Sequence, residues 1–82
     1  DCVGDTPLVA LPSLSQLLGC SVWAKMEFMN PGGTSKDRAA KQIILDAEEH
    51  GLLGAGKKTR IYEGSAGSTG ISLALLGCSK GY

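Results

Sequence analysis

The sequence has no net charge, because eight basic and eight acidic side chains balance within its 82 residues. A chain without a basic excess has no electrostatic attraction to nucleic acid or to an anionic membrane. No apolar run reaches the roughly 18 residues of a membrane-spanning helix, and no basic segment followed by an apolar stretch marks a signal peptide. These absences predict no nucleic-acid partner and no membrane partner. They favour an enzyme that acts on a small molecule.

Cysteine is sparse and odd in number, since the chain holds only Cys2, Cys20 and Cys78, far apart. Disulfide frameworks usually use an even, dense set of cysteines, and a zinc site needs about four clustered ligands. We therefore predict no metal site and three reduced cysteines that serve as packing residues, which favours an intracellular, cytoplasmic location. Because the chain begins at Asp1 rather than at methionine, an upstream targeting segment, and with it a mitochondrial location, stays open.

Hydrophobic periodicity predicts that strands and helices alternate along the chain. Residues 22–28 alternate apolar and polar side chains as a strand does, and residues 36–50 repeat apolar side chains at helical steps. Strand, helix, strand, helix with short connections predicts βαβ units on a parallel sheet. Such a sheet needs cover on both faces, so we expect the opening portion of a larger α/β domain. The other predicted elements are an extended piece at 8–11, a short helix at 14–18, a strand at 60–63 and an apolar helix at 71–80.

A glycine-containing loop at residues 30–38 places one lysine at the start of the predicted helix at 36–50. Its glycines permit backbone conformations closed to other residues, and Ser35 or Thr34 is placed to cap the helix. Lys36 then lies in the first turn, next to the positive end of the helix dipole, where a cation gains no stabilisation. Neutral amine is what carbonyl chemistry requires, so Lys36 is the candidate reactive residue.

A second glycine-rich loop, residues 64–70, also joins a predicted strand to a helix. Free backbone N–H groups at a helix start bind carboxylates and phosphates, and ligands of open α/β sheets bind at the carboxyl ends of the strands. Two nucleotide motifs compete with this interpretation. The first is the phosphate loop of nucleotide hydrolases, which residues 51–58 resemble, but they lack the hydroxyl residue after the lysine and run from helix to strand. The second is the dinucleotide-binding fingerprint G-x-G-x-x-G, whereas the glycines of the second loop are spaced G-x-x-G-x-x-G.

Five stretches of the sequence match one family pattern, in the same order and with similar gaps. They are Thr6-Pro7-Leu8, Ala24-Lys25-Met26-Glu27, Asn30-Pro31-Gly32-Gly33-Thr34-Ser35-Lys36-Asp37-Arg38, Asp46-Ala47-Glu48 and residues 63–70. Through them the sequence resembles the cysteine synthase and cystathionine β-synthase family over nearly its whole length. These are pyridoxal-phosphate enzymes of fold type II, with a three-layer, tryptophan-synthase-β-like fold. The resemblance implies that residues 1–82 form the N-terminal part of one such domain, incomplete in itself.

The resemblance implies a role for each site residue. Lys36 matches the lysine that forms a Schiff base with pyridoxal 5'-phosphate and then acts as general base on the substrate. The turn that matches the family's substrate-carboxylate loop is Ser65, Ala66, Gly67, Ser68 and Thr69, of which Ser68 also matches a cofactor contact. The implied reaction is β-replacement on an activated serine, such as O-acetylserine, by sulfide to give cysteine. The full-length protein is expected to be a homodimer.

Two positions in the carboxylate turn depart from the family pattern. Ser68 stands where the family has asparagine, and Ala66 replaces a serine hydroxyl. The family's cofactor-phosphate loop is expected further along than Tyr82, so we expect the 82-residue chain alone to be inactive. The departures keep open a second hypothesis, an inactive relative that serves as a binding or regulatory protein. The third hypothesis is a nucleotide-binding α/β module.

Overall fold

The computed structural model describes residues 2–54 and 59–82, and the part of the phosphate-loop-like stretch at 55–58 lies outside them. The described chain is a mixed α/β fragment. Within it, no helix is long and apolar enough to cross a membrane. Its elements, in order, are strand β1 (Leu8–Ala10), helix α1 (Pro12–Leu18), strand β2 (Trp23–Lys25), a 3₁₀ turn (Glu27–Met29), helix α2 (Lys36–Glu49) and helix α3 (Ser68–Ser79).

Strands β1 and β2, which α1 connects, pair antiparallel, with Leu8 opposite Lys25 and Ala10 opposite Trp23. The predicted strand at 22–28 is therefore correct at 23–25 and wrong beyond Lys25. After Lys25 the backbone turns, because Met29 N donates to the Met26 carbonyl and Glu27 is drawn into side-chain bonds described below. Helix α1 begins two residues earlier than predicted, since Pro12 suits the first helical turn.

Helices α2 and α3 pack side by side and run in the same direction. Asp37, at the start of α2, bonds Ser72 near the start of α3, whereas Glu48, at the end of α2, forms a 2.6 Å ion pair with Lys80 just beyond α3. Between these ties lies the core, in which Ile44 is 1% exposed. The core consists of Ala40, Ile44, Leu53 and Leu73.

The predicted strand at 60–63 pairs with no other strand among the described residues. Ile61 nevertheless packs against the core, because Gly77 of α3 leaves room for its side chain. The predicted parallel pairing is not confirmed, since the sheet described is the antiparallel β1–β2 pair. Helix α3 begins at Ser68, three residues before the predicted start.

The three cysteines are free thiols, but the prediction that they serve as packing residues is wrong in the described structure, where Cys2, Cys20 and Cys78 are all exposed. Cys78 shows the physical reason. Helix α3 is apolar on most faces, yet α2 covers only one of them, so Ile71 and Leu75 on the same helix are 60% and 42% exposed.

Candidate active site

The loop before Lys36 is held by Asn30, which is 4% exposed. The Asn30 side-chain carbonyl accepts from Gly4 N at 2.8 Å, and its amide group donates to the Thr34 carbonyl at 3.1 Å. The same amide donates to the carbonyl and the carboxylate of Glu27, at 2.9 and 3.1 Å. One buried side chain thus joins the N-terminal segment, the 3₁₀ turn and the lysine loop.

An ion pair on the outside of this loop adds a second connection. Arg38, in the first turn of α2, donates from Nε and Nη2 to the two carboxylate oxygens of Glu27, both at 2.9 Å. Thr6 Oγ1 donates to the same carboxylate at 2.6 Å. The bonds from Arg38 and then Thr6 lower the pKa of Glu27 from 4.5 to about 2, because they stabilise the ionised carboxylate. This pair orients the first turn of α2.

Lys36 begins α2 with its side chain exposed. Among residues 2–54 and 59–82 its amine makes no hydrogen bond or ion pair, whereas its backbone N–H donates to Thr34 Oγ1 at 3.2 Å. Thr34 therefore takes the capping role that was predicted for Thr34 or Ser35. Ser35 itself has helical backbone angles and makes no side-chain cap. The amine is accessible to an electrophile.

The side chain of Asp37, unlike that of Lys36, is fully buried. One carboxylate oxygen accepts from Gly32 N at 2.5 Å, and the other accepts from Ser72 Oγ at 2.5 Å. Sequence reasoning assigned no chemistry to Asp37 and did not single out Ser72. An acidic residue in the first turn of a helix is the ordinary complement of the helix dipole, so the sequence alone gave no sign of burial.

The second loop leads into α3 without a side-chain cap. Ser65 Oγ accepts from Gly67 N at 3.1 Å, which folds the turn back on itself. The turn comes so close to the helix that a Cβ at Gly70 would lie 3.3 Å from Ser65 Cβ. Residues 65–68 are exposed, and Thr69 is half-buried. An uncapped helix start offers backbone N–H groups and the positive end of the dipole to an anion.

The parallel arrangement of α2 and α3 brings both loops to the same end of the helix pair. Lys36 is adjacent to Asp37, and Ser68 precedes Ser72 by one helical turn, so the Asp37–Ser72 bond links the two helix starts. That Lys36 and the turn at 65–69 form one site stays a prediction. The two cavities described in the structure lie elsewhere, one along the α2–α3 groove and one between α3 and residues 60–63.

These residues fit a cofactor that carries an aldehyde. Carbonyl chemistry requires an accessible primary amine, and Lys36 supplies one that is exposed and bonds no other side chain within the described structure. An amino acid bound to such a cofactor presents a carboxylate, and the uncapped start of α3 supplies donors for it at the same end of the molecule.

The family model for pyridoxal-phosphate dependent enzymes matches residues 1–82, the whole chain. A cysteine synthase of Dictyostelium discoideum is 58% identical over 80 residues, covering 98% of this chain and 21% of that protein. Cysteine synthase 2 of Schizosaccharomyces pombe is 54% identical over 80 residues, covering 98% of this chain and 20% of that protein.

The crystal structure of an O-ureido-L-serine synthase superposes with a TM-score of 0.88 at 43% identity, covering 100% of this chain and 25% of that one. The chain therefore spans about a fifth to a quarter of the length of these relatives. Both the sequence match over the full chain and the shared fold lead to the same conclusion: the chain belongs to the family of pyridoxal-phosphate dependent enzymes.

Proposed function

We propose that residues 1–82 are the N-terminal part of the catalytic domain of a cysteine synthase-like enzyme. The proposed reaction replaces the β-substituent of an activated serine, such as O-acetylserine, by sulfide to give cysteine. Relatives that carry the name cysteine synthase support it, at 58% and 54% identity. The structural observation that carries the proposal is the Asp37–Ser72 bond. This bond links the start of α2, which bears Lys36, to the start of α3, which follows the turn at residues 65–69, called the anion turn below.

Lys36 Nζ is the atom that we assign to covalent attachment of the cofactor and, when free, to removal of the proton from the substrate's α-carbon. Bound pyridoxal phosphate supplies an electron sink for the charge left on that carbon. Two features of this chain suit the amine to the task. Its side chain is exposed, and its backbone is fixed by the Thr34 cap and by the buried neighbour Asp37. A positioned general base typically contributes 10²- to 10⁴-fold to the rate.

The turn formed by Ser65, Ala66, Gly67, Ser68 and Thr69 is assigned to the substrate's α-carboxylate. Ala66 brings no hydroxyl, so backbone N–H groups must supply more of the binding. Ser65 is already engaged, because its hydroxyl accepts from Gly67 N. Ser68 is also assigned a cofactor contact, and as a serine it offers one donor.

The proposal includes the fold: residues 1–82 would supply a parallel βαβα portion of a larger domain. Helices that follow neighbouring parallel strands run in the same direction, as α2 and α3 do. The radius of gyration is 16.6 Å, whereas a compact chain of this length has one of about 12 Å. Exposed apolar side chains, such as Leu17 at 79% and Tyr62 at 82%, are surface that further strands and helices would cover.

The full-length enzyme is proposed to act as a homodimer on small amino-acid substrates in an intracellular compartment, the cytoplasm or the mitochondrion. The alternative function is an inactive relative that binds the cofactor and serves as a binding or regulatory protein. Serine at position 68 and alanine at 66 favour that alternative, because both remove groups from the anion turn.

The test is turnover of O-acetylserine and sulfide by the full-length enzyme. We expect cysteine formation by the wild type and at least a hundredfold loss in Lys36→Arg, while Lys41→Arg on the same helix retains activity. Cofactor binding without turnover in the wild type would establish the inactive relative. A wild type that binds no pyridoxal phosphate would instead leave the nucleotide-binding module as the better hypothesis.

A further inference from the structure

Asp37 is a fully buried carboxylate that the proposed reaction does not use. Its oxygens accept from Gly32 N, in the lysine loop, and from Ser72 Oγ, in α3, each at 2.5 Å. Ser72 is itself 0% exposed. At Gly32 the carboxylate lies so close that a Cβ would collide with Oδ1 and lie 3.0 Å from Cγ. Two segments, the lysine loop and α3, therefore meet at one acidic group of α2.

Burial of a carboxylate is costly unless hydrogen bonds and local charge offset it. Asp37 has two such donors, and its place in the first turn of α2 adds the positive end of the helix dipole. Charge-assisted hydrogen bonds are short and stronger than neutral ones, so this cluster resists displacement. Its location matters because Lys36 is the preceding residue.

We propose that Asp37 and Ser72 are positioning residues that set the separation between the Lys36 amine and the anion turn at 65–69. The inference rests on the proposed function, since it assigns those two features to one site. Another polar contact, the ion pair between Glu48 and Lys80, lies 11 residues further along α2, or about 16 Å at 1.5 Å per residue. A contact at that distance does not fix the spacing of the helix starts. The Asp37–Ser72 bond holds them at the end where the chemistry takes place.

The consequence is a specific kinetic effect. An amino acid held by its carboxylate presents its α-hydrogen to the lysine only if the turn and the amine keep their spacing. A misplacement of about 1 Å can lower a rate by up to a hundredfold. Loss of the bond should therefore slow removal of the α-proton while leaving covalent attachment of the cofactor intact, because attachment is through Lys36 and Thr34 still caps the helix start that carries it.

The experiment uses the full-length enzyme loaded with pyridoxal phosphate and compares Ser72→Ala with Ser79→Ala. Ser79 is a matched control, since it is exposed at the end of α3 and donates to the Leu76 carbonyl at 2.7 Å. Three quantities are measured: borohydride trapping of the cofactor on Lys36, exchange of the substrate's α-hydrogen with deuterium by NMR, and KM for O-acetylserine. Exchange rates are normalised to the trapped cofactor, so that a loss of folded protein does not register.

We expect Ser72→Ala to lower the normalised exchange rate about tenfold, with trapping unchanged and KM within about twofold. Ser79→Ala should change none of these. Asp37→Asn should stay within about threefold of the wild type, because its carbonyl accepts from Gly32 N and its amide donates to Ser72 Oγ. Asp37→Ala, which has neither group, should match Ser72→Ala.

An unchanged normalised rate in Ser72→Ala, even with a lower unfolding temperature, would reduce the bond to a structural role and overturn the inference. If Ser72→Ala does not fold, Ser72→Cys replaces it. The thiol keeps the shape but is a weaker donor, so a two- to tenfold loss is expected and an unchanged rate overturns the inference. A wild type without trapping at Lys36 would overturn the proposed function itself, and the inference with it.

Discussion

Asn30 allows a sharp test of how the lysine loop is held. Its side chain is buried and serves as acceptor on one side and donor on the other. The acceptor side faces a backbone N–H of Gly4, whereas the donor side faces only oxygens, from Glu27 and Thr34. This polarity predicts that Asn30→Asp, although nearly the same shape, is more damaging than Asn30→Ala.

The magnitude follows from the partners that each variant leaves behind. Alanine leaves Gly4 N without its acceptor, which costs about 1–3 kcal/mol, and loses two donated hydrogens at about 0.5–1.5 kcal/mol each. We therefore expect Asn30→Ala to lower stability by about 3 kcal/mol. Aspartate keeps the bond to Gly4 but places an anionic oxygen where the amide now lies, 3.1 Å from the Glu27 carboxylate. Repulsion between like charges adds to the loss.

The assay is thermal unfolding of the full-length enzyme at pH 7 and at pH 5. At about 2 °C per kcal/mol, Asn30→Ala should lower the unfolding midpoint by about 6 °C, and Asn30→Asp by more. Proximity to Glu27 raises the pKa of the introduced carboxyl in the folded state, so its penalty is present above that pKa and declines as pH falls. The gap between the two variants should therefore narrow at pH 5. An Asn30→Asp enzyme as stable as the wild type at pH 7 would refute this assignment of the network.

Three further outcomes follow from the described contacts. The pKa of Glu27 is lowered from 4.5 to about 2, so its ion pair with Arg38 contributes its full stabilisation above pH 4.5. That stabilisation declines as the pH falls toward 2. Over this pH range the free energy of unfolding of Glu27→Gln should therefore depend less on pH than that of the wild type. Gly32→Ala should cost about 1–3 kcal/mol by displacing the buried carboxylate beside it, whereas Gly64→Ala, with nothing within 4 Å of its Cβ, should lower the unfolding midpoint far less. Ile44→Ala should cost about 2–5 kcal/mol and Ile44→Val about 0.5–1.5 kcal/mol, since Ile44 is 1% exposed; equal midpoints for the two variants would contradict its place in the core.

Helix α2 was predictable from the sequence because its signals agree with one another. Apolar side chains recur at helical steps, Gly51 ends the helix with a positive φ of 70°, and a hydroxyl residue precedes its first turn. The structure accordingly bounds it at Lys36–Glu49, within one residue of the prediction. Local signals fix local structure when no tertiary contact opposes them.

The end of strand β2 was not predictable in the same way. Alternation continues through Phe28, but the backbone departs from it after Lys25, because Glu27 bonds Thr6 and Arg38 from distant parts of the chain. The pairing of residues 60–63 depends likewise on partners that periodicity does not identify. Strand pairing is a property of the assembled sheet, whereas alternation is a property of one segment.

The residues of the candidate site likewise divide into those that local sequence identifies and those that only tertiary contacts identify. Lys36 and the turn at 65–69 were singled out from glycine spacing and family resemblance, and the structure brings their two helix starts to one end of a parallel helix pair. The residues that hold this arrangement were not assigned a role, because burial of Asn30, Asp37 and Ser72 arises only when separate segments meet.

The proposed function depends on a covalent bond between the Lys36 amine and pyridoxal phosphate. Borohydride reduction of the loaded full-length enzyme, followed by mass analysis of its peptides, tests this claim directly. We expect a phosphopyridoxyl group on the peptide that contains Lys36, retained in Lys41→Arg and absent in Lys36→Arg. A label on another lysine, or a label that persists in Lys36→Arg, would contradict it.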